Sequence, residues 1–178
     1  MNILKKIFYS LLLSLLSFSS FGETGGYRNT LYHNDWVSGQ LFVDNKAIPR
    51  IATRSIETNS SLIFDLLNDK QGKKYVAQII KAKNDNEIGT IYNPELTAFP
   101  CSVRVDLKSV FSTNCYLNDD NQAYYITVGQ GLEYEFYEEC RQGQFVRFKL
   151  QAPKETLYLK YSLMGVSLAF DRALSLLY

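Results

Sequence analysis

Residues 101–108 read C-S-V-R-V-D-L-K, and they form the most regular strand pattern in the sequence. Apolar residues occupy the odd positions and polar residues occupy the even ones. This alternation is typical of a strand that has one face on a hydrophobic core and the other in water. The segment therefore predicts a half-buried strand, and the residues around it have to supply the rest of a β-sheet.

The same period of two recurs on both sides of this strand. Strand-like runs lie at 38–43, 48–53, 61–67, 75–82, 123–128 and 156–161. Residues 23–35 are polar and contain glycine, so we expect a loose lead-in there. No linker or repeat divides the remainder of the chain. We therefore expect one β-rich domain over residues 36–178, mainly β in class, built as an antiparallel sandwich or a curved sheet.

A second alternating run, L-E-Y-E-F-Y-E-E-C at 132–140, is predicted to form a hairpin with the strand that follows it. A three-residue loop, Q-G-Q, pairs Phe136 with Leu150 and Glu139 with Arg147, and both are favourable cross-strand pairs. In this register Glu138 falls among the apolar residues. Either the strand bulges there, or the Glu138 carboxylate is partly buried.

The period changes to that of a helix in the last part of the sequence. Apolar residues at helical spacing are Val166, Ala169, Phe170, Ala173, Leu174 and Leu177. Polar residues fall on the opposite side. This pattern predicts one C-terminal amphipathic helix, which is stable only when its apolar face packs on the sheet.

The segment that leads into this helix, L-Y-L-K-Y-S-L-M-G-V-S-L-A-F-D-R-A-L at 157–174, resembles the invasion-associated locus B family of exported bacterial proteins. In that family a strand leads into S-L-x-G-F-x-x-A-L and a helix. The matching residues are Ser162, Leu163, Gly165 and Ala169. Val166 replaces the usual aromatic residue.

The resemblance implies a periplasmic β-rich domain without established catalytic residues, and a role in host interaction or envelope integrity. One feature of the family departs from this sequence. The family tends to carry two closely spaced cysteines ahead of the matching segment, whereas Cys101 and Cys115 lie further apart.

Residues 1–22 have the layout of a secretory signal peptide. Lys5 and Lys6 form a positive region, Ile7–Phe18 is mainly apolar, and Ser20 and Gly22 supply the small residues of a cleavage site. The apolar stretch is shorter than the roughly 20 residues that a membrane-spanning helix needs. We therefore expect cleavage near Gly22, a periplasmic or secreted location, and no transmembrane span in the processed chain.

The charge of the processed chain bears on its partners. Cleavage removes two of the 19 basic residues and none of the 18 acidic ones, which leaves 17 against 18 and a net charge of −1. A near-neutral chain offers no overall attraction for nucleic acid or anionic lipid. We therefore expect a protein or glycan partner and no nucleic acid.

The three cysteines allow three disulfide pairings. In an oxidising compartment paired cysteines form structural disulfides, and the C-x-x-C spacing of redox sites is absent. A chain reversal over 108–113 favours a bridge between Cys101 and Cys115. Cys140 is then a buried free thiol, or alternatively the partner of Cys115.

Few residues suit catalysis. His33 is the only histidine and lies in the expected lead-in, and the cysteines are too scattered for a zinc site, so we predict no catalytic residue, no metal and no cofactor. A carboxylate cluster forms the one alternative, and its members are Glu133, Glu135, Glu138 and Glu139. Two carboxylates on one strand face could hydrolyse a glycan, although a solvated face balanced by Arg147 and Lys149 explains them more simply.

The sequence is rich in aromatic residues, with 13 tyrosines and 11 phenylalanines. Four tyrosines on or beside outward strand positions predict a binding face, and they are Tyr124, Tyr125, Tyr137 and Tyr158. We therefore expect an exported, non-enzymatic β domain that binds a protein or glycan partner in the cell envelope, as an envelope or virulence factor. A periplasmic immunity or inhibitor protein against a secreted toxin or wall hydrolase is the first alternative. A glycan hydrolase that uses the Glu133–Glu139 carboxylates is the second.

Overall fold

The computed structural model of the protein describes residues 27–43, 46–55, 57–69, 72–81, 97–118, 123–127 and 133–177. The predicted signal peptide at 1–22 lies outside these ranges. The described residues contain no helix that is long and apolar enough to cross a membrane.

Ten strands of the described chain form one antiparallel sheet. The strands are β1 Tyr27–His33, β2 Trp36–Val43, β3 Lys46–Arg54, β4 Ser60–Asp69, β5 Gly72–Lys81, β6 Thr97–Val105, β7 Phe111–Asn118, β8 Ala123–Thr127, β9 Phe145–Gln151 and β10 Thr156–Ser162, and the helices are α1 Glu133–Gln142 and α2 Val166–Ser175. The strand order is β1-β2-β3-β4-β5-β8-β7-β6-β9-β10. The prediction of a mainly β, antiparallel fold with a C-terminal helix packed on it is confirmed.

The sheet curves until its last strand reaches the other half of the fold. Trp36 at the start of β2 donates a hydrogen bond of 2.9 Å from its indole nitrogen to the carbonyl oxygen of Ser162. The Ser55 hydroxyl donates one of 3.1 Å to the carbonyl oxygen of Lys160. Side chains, rather than another strand, therefore satisfy two carbonyl groups of β10.

The inner side of the curved sheet holds a hydrophobic core to which both halves contribute. Buried strand residues include Ile51, Leu62, Phe64, Phe99, Val103, Val105, Val146, Phe148, Leu150 and Leu159. Both helices fill the space between the halves. The Phe64 ring lies 6.4 Å from the ring of Phe136 in α1 and 5.4 Å from that of Phe170 in α2, measured between centroids.

Helix α2 begins where the sequence predicted it, and its buried residues are Val166, Ala169, Phe170 and Ala173. It starts after Gly165, whose φ is 93°. A Cβ atom at Gly165 would lie 1.8 Å from the carbonyl oxygen of His33, so no other residue fits without movement of β1. The helix packs on β1, β2 and β3.

The predicted hairpin over 132–150 is wrong, because residues 133–142 form helix α1. Its buried residues are Phe136, Tyr137 and Cys140. Tyr137 and Cys140 follow Phe136 by one and four residues, a spacing that places all three on one side of a helix. The alternating pattern puts Tyr134 on the same face as Phe136, yet Tyr134 is exposed. Strand β9 pairs instead with β6 and β10, so that Leu150 lies opposite Cys101 and Leu157.

The described part of the expected lead-in also needs correction, since residues 27–33 form β1 rather than a loose segment. β1 is at one end of the sheet and its middle residues are exposed, which explains the polar sequence. Asn29 has a φ of 57° and the register with β2 shifts between Arg28 and Leu31. This irregularity removes the alternation that identifies a strand in the sequence.

A buried ion pair lies on the side of β3 and β4 that faces away from this core. Arg50 donates from Nε to Oδ1 of Asp65 at 2.6 Å and from Nη2 to Oδ2 at 2.9 Å, and both side chains are at most 1% exposed. Tyr27 of β1 donates from its hydroxyl to the carbonyl oxygen of Arg50 at 3.3 Å. Burial raises the pKa of Tyr27 well above its ordinary value, so this phenol stays protonated.

Candidate binding face

The four tyrosines predicted to form a binding face do not share one surface. Tyr124 is 5% exposed and packs edge-on against Phe99 at a centroid distance of 6.0 Å, while α1 turns Tyr137 into the core. Tyr158 on β10 is 69% exposed. The side chain of Tyr125 lies outside the described residues. The predicted face is therefore wrong as a group, and Tyr158 is the one of its described members that a partner can reach.

The predicted carboxylate cluster lies on α1 rather than on a strand. Glu138 lies in a helix, so no strand bulge forms there, and its carboxylate is partly buried, with its Oε1 3.9 Å from Nε of Arg141. Glu135 is exposed, whereas Oε2 of Glu139 is buried without a hydrogen bond. The side chain of Glu133 lies outside the described residues. Helical spacing removes the single strand face on which the hydrolase alternative depended.

The predicted disulfide is confirmed and links β6 to β7. Cys101 and Cys115 are bonded, with their Cα atoms 5.8 Å apart. Cys140 is a free thiol that is fully buried. Burial raises the pKa of Cys140 well above its ordinary value, and the neighbouring Glu139 carboxylate raises it further. A buried, protonated thiol is a poor nucleophile, which fits a packing role for Cys140.

His33 lies on β1, with its Nε2 atom 2.8 Å from the hydroxyl of Ser38. Partial burial and the nearby Arg172 guanidinium lower the pKa of His33. Among the described residues, no group of three or more His, Cys, Asp or Glu side chains is placed to hold a metal ion.

The outer side of β6, β9 and β10 carries a row of three basic residues. Arg104 lies directly opposite Arg147, and Arg147 lies directly opposite Lys160. Their neighbours in each strand point into the core, so these three side chains point away from it. Like charges that face each other across strands destabilise a sheet. The charges of the row are therefore unfavourable to one another in the free protein.

Aromatic rings flank the row on both sides. The Phe145 ring has the Lys160 ammonium nitrogen 4.3 Å from its centroid and the Arg147 guanidinium carbon 5.8 Å away. On the other side, the Tyr158 ring has the Lys149 ammonium nitrogen 5.9 Å from its centroid. We call the six residues the basic face, and they are Arg104, Phe145, Arg147, Lys149, Tyr158 and Lys160.

Few acidic groups in the described chain neutralise the basic face. Glu57 lies 3.8 Å from Lys160, but this pair is solvent-accessible and contributes little. The carboxylate of Asp106 instead accepts hydrogen bonds from the backbone N–H groups of Gln144 at 3.0 Å and Phe145 at 2.9 Å. The basic face consequently has a local excess of positive charge on a chain that is close to neutral overall.

A loop over residues 106–110 connects β6 to β7 and borders the basic face. Leu107 at its tip is 90% exposed and Val110 is 56% exposed. Asp106 has a φ of 48°, and its N–H donates to the carbonyl oxygen of Phe145 at 2.9 Å. An open depression of about 750 Å³ lies beside it, lined by Asp106, Leu107, Lys108, Gln144, Phe145 and Arg147. The loop presents a large apolar side chain to solvent.

The sequence contained the residues of the basic face but not their arrangement. Arg104, Arg147 and Lys149 each stand at an outward position of an alternating run. The predicted hairpin paired β9 with residues 132–140, and this pairing hid the adjacency of β6 and β9 that forms the row.

Comparison with solved structures finds the same fold elsewhere. The crystal structure of invasion associated protein B from Bartonella henselae matches with a TM-score of 0.52 and 16% sequence identity, covering 84% of this chain and 97% of that one. No protein-family model matches the sequence. No curated protein matches it either. The resemblance noted in the closing segment is thus confirmed at the level of fold, and membership of that family remains a prediction.

Proposed function

We propose that the protein is an exported, non-enzymatic β domain that binds a partner in the cell envelope through its basic face. The observation that carries this proposal is the in-register row of Arg104, Arg147 and Lys160. The row costs stability in the free protein, and an anionic partner offsets that cost. Residues that reduce stability in this way are expected at functional sites.

Two further observations support the exported location. The first 22 residues have the layout of a signal peptide, and the Cys101–Cys115 disulfide suits an oxidising compartment. The name of the structural neighbour refers to invasion, and a periplasmic or secreted location of this protein is consistent with such a role. A role as an envelope or virulence factor belongs to the same proposal.

The proposal is tested by comparing two double variants of equal charge. Arg104→Gln/Arg147→Gln changes the row, whereas Arg28→Gln/Lys46→Gln removes two exposed positive charges on β1 and β3. Protein expressed from the full sequence is immobilised and exposed to envelope extract from the producing cell. Material retained by the wild type and by the β1–β3 variant, but lost with the row variant, supports the proposal. Equal retention by all three proteins contradicts it.

A periplasmic immunity or inhibitor protein is the second candidate, and the 106–110 loop favours it. Inhibitory contacts commonly insert a rigid apolar anchor into a pocket of the target. Leu107 has the required exposure, and backbone hydrogen bonds of the two adjacent residues, Asp106 and Lys108, hold the chain on either side of it. Under this candidate, Leu107→Ala abolishes protection of the producing cell against its toxin or wall hydrolase while the fold remains intact. Unchanged protection by Leu107→Ala removes the candidate.

A further inference from the structure

The partner of the basic face has a recognisable chemistry. We infer that it is an anionic polysaccharide, whose acidic groups contact the row of Arg104, Arg147 and Lys160 while one of its sugar rings stacks on Tyr158. This inference rests on the proposed function and specifies the class of its ligand.

The direction of the row favours a polymer that lies across the strands. Neighbouring strands are about 4.8 Å apart, so the three basic residues follow one another at roughly that spacing. Consecutive rings of a linear polysaccharide follow one another at a similar distance. An extended peptide presents side chains on one side only every ~6.7 Å, which does not match the row.

The position of the row in the sheet disfavours an added peptide strand. β6 and β9 are each paired on both sides, so neither has an edge to which a strand could bind. β10 has an edge, but the carbonyl groups of Lys160 and Ser162 already accept hydrogen bonds from Ser55 and Trp36. Two main-chain acceptors of this edge are therefore already occupied, which disfavours strand addition by an acidic peptide.

The side chains of the basic face suit acidic sugars. A guanidinium group forms paired hydrogen bonds to a carboxylate, sulfate or phosphate group, and the row supplies two such groups beside one ammonium. Tyr158 is 69% exposed, and its ring offers a flat surface on which the apolar side of a sugar can stack. Among described residues, Arg104 and Lys149 form no ion pair with a carboxylate that would compete with such a ligand.

The test measures binding of the purified protein, expressed from the full sequence, to four immobilised polymers at low and high salt. Polygalacturonate carries carboxylates and dextran sulfate carries sulfates, so these two distinguish the possible acidic groups. Neutral dextran controls for charge, and polyglutamate represents an acidic polypeptide. The wild type is expected to bind one or both acidic polysaccharides at low salt, to release them at high salt, and not to bind neutral dextran.

Variants separate charge from stacking. Arg104→Gln/Arg147→Gln is expected to weaken binding to the acidic polysaccharide about tenfold, as for two partly exposed charge contacts. Arg28→Gln/Lys46→Gln, with the same net charge, is expected to change it by less than about twofold. Tyr158→Ala keeps the charge and is expected to weaken binding about fivefold.

Three results overturn the inference. One is an absence of binding to both acidic polysaccharides at low salt. A second is binding to polyglutamate as tight as to the acidic polysaccharides, and a third is a Tyr158→Ala variant that binds like the wild type. The proposed function fails separately, when envelope material is retained equally by the wild type and the row variant. If the wild type binds polyglutamate tightly and the row variant does not, the polysaccharide is excluded as the ligand class, while the basic face remains the binding site.

Discussion

The indole nitrogen of Trp36 donates a hydrogen bond of 2.9 Å to the carbonyl oxygen of Ser162, a residue 126 positions later in the sequence. Trp36 itself is fully buried and stacks on Phe64 at a centroid distance of 5.8 Å. The hydrogen bond to Ser162 joins the last strand of the sheet to its other half. The hydroxyl of Ser55 makes a second such link, to the carbonyl oxygen of Lys160.

Trp36→Phe keeps an aromatic ring in the core but removes the donor to Ser162. The free energy of unfolding is expected to fall by about 2 kcal/mol, from the unsatisfied carbonyl and the smaller ring. Hydrogen exchange is expected to rise more in β10 than in β6, and Ser55→Ala is expected to have the same effect more weakly. Unchanged exchange in β10 with both variants would show that these bonds do not hold the strand.

Gly165→Ala introduces a Cβ atom at 1.8 Å from the carbonyl oxygen of His33, at a residue whose φ is 93°. Helix α2 must then move away from β1, and we expect a loss of at least about 3 kcal/mol in urea unfolding. Leu168→Ala in the same helix is the control, because Leu168 is exposed and is expected to cost under about 0.5 kcal/mol. Similar unfolding midpoints for the two variants would refute the close approach.

The burial of Arg50 and Asp65 as an ion pair predicts that substitutions of the two residues have non-additive effects on the free energy of unfolding. Asp65→Asn leaves the Arg50 guanidinium buried without its carboxylate, and we expect it to cost about 3–5 kcal/mol. Replacing both residues with leucine removes both buried charges, so the double variant is expected to be more stable than Asp65→Asn alone. Urea unfolding of the three proteins measures the difference. A double variant less stable than Asp65→Asn would contradict the expectation.

Cys140 predicts a pH dependence of stability. Burial raises the pKa of this thiol, so the folded protein holds its proton more tightly than the unfolded chain, where a thiol titrates near pH ~8.5. The resulting stabilisation is complete below that pH and is lost as the pH rises towards the folded value. Between pH 8 and 10, the unfolding free energy of the wild type is therefore expected to fall more steeply than that of Cys140→Ala. Parallel curves would show that the thiol does not contribute.

Local alternation was enough to identify the strand over 101–105, where one face of β6 is buried and the other is partly exposed. The predicted strand continued to Lys108 with Leu107 on its buried face, but β6 ends at Val105 and Leu107 is 90% exposed. The disulfide followed from the same reasoning, since a reversal after residue 108 brings Cys115 back beside Cys101. Helix α2 was equally clear, because its four buried residues recur at the helical period.

The strand prediction is wrong for residues 133–140 because their pattern fits two structures. Alternation suggests a strand, yet glutamate favours helices, and Phe136, Tyr137 and Cys140 are buried together only in a helix. The core between the two halves of the sheet decides between them, and that space is not visible in the local sequence.

The basic face depends on strand order, which the sequence does not reveal. β6 and β9 are separated by β7, β8 and α1, so their adjacency is a property of the whole fold. Arg104 and Arg147 therefore looked like isolated surface charges. The ion pair of Arg50 and Asp65 was missed for a related reason, because β1 places Tyr27 beside it and β1 was expected to be a loose segment.

Helix α2 packs on β1, β2 and β3, the first strands of the described chain. The indole of Trp36 donates a hydrogen bond to Ser162, and the carbonyl oxygen of His33 lies against Gly165. The carbonyl oxygen of Asn29 accepts a hydrogen bond from Arg172. A chain synthesised in N-to-C order thus cannot complete the environment of these strands until the residues around 162–172 have followed. This half of the sheet therefore completes its contacts only after the C-terminal residues are available, which is a non-local and slow kind of assembly.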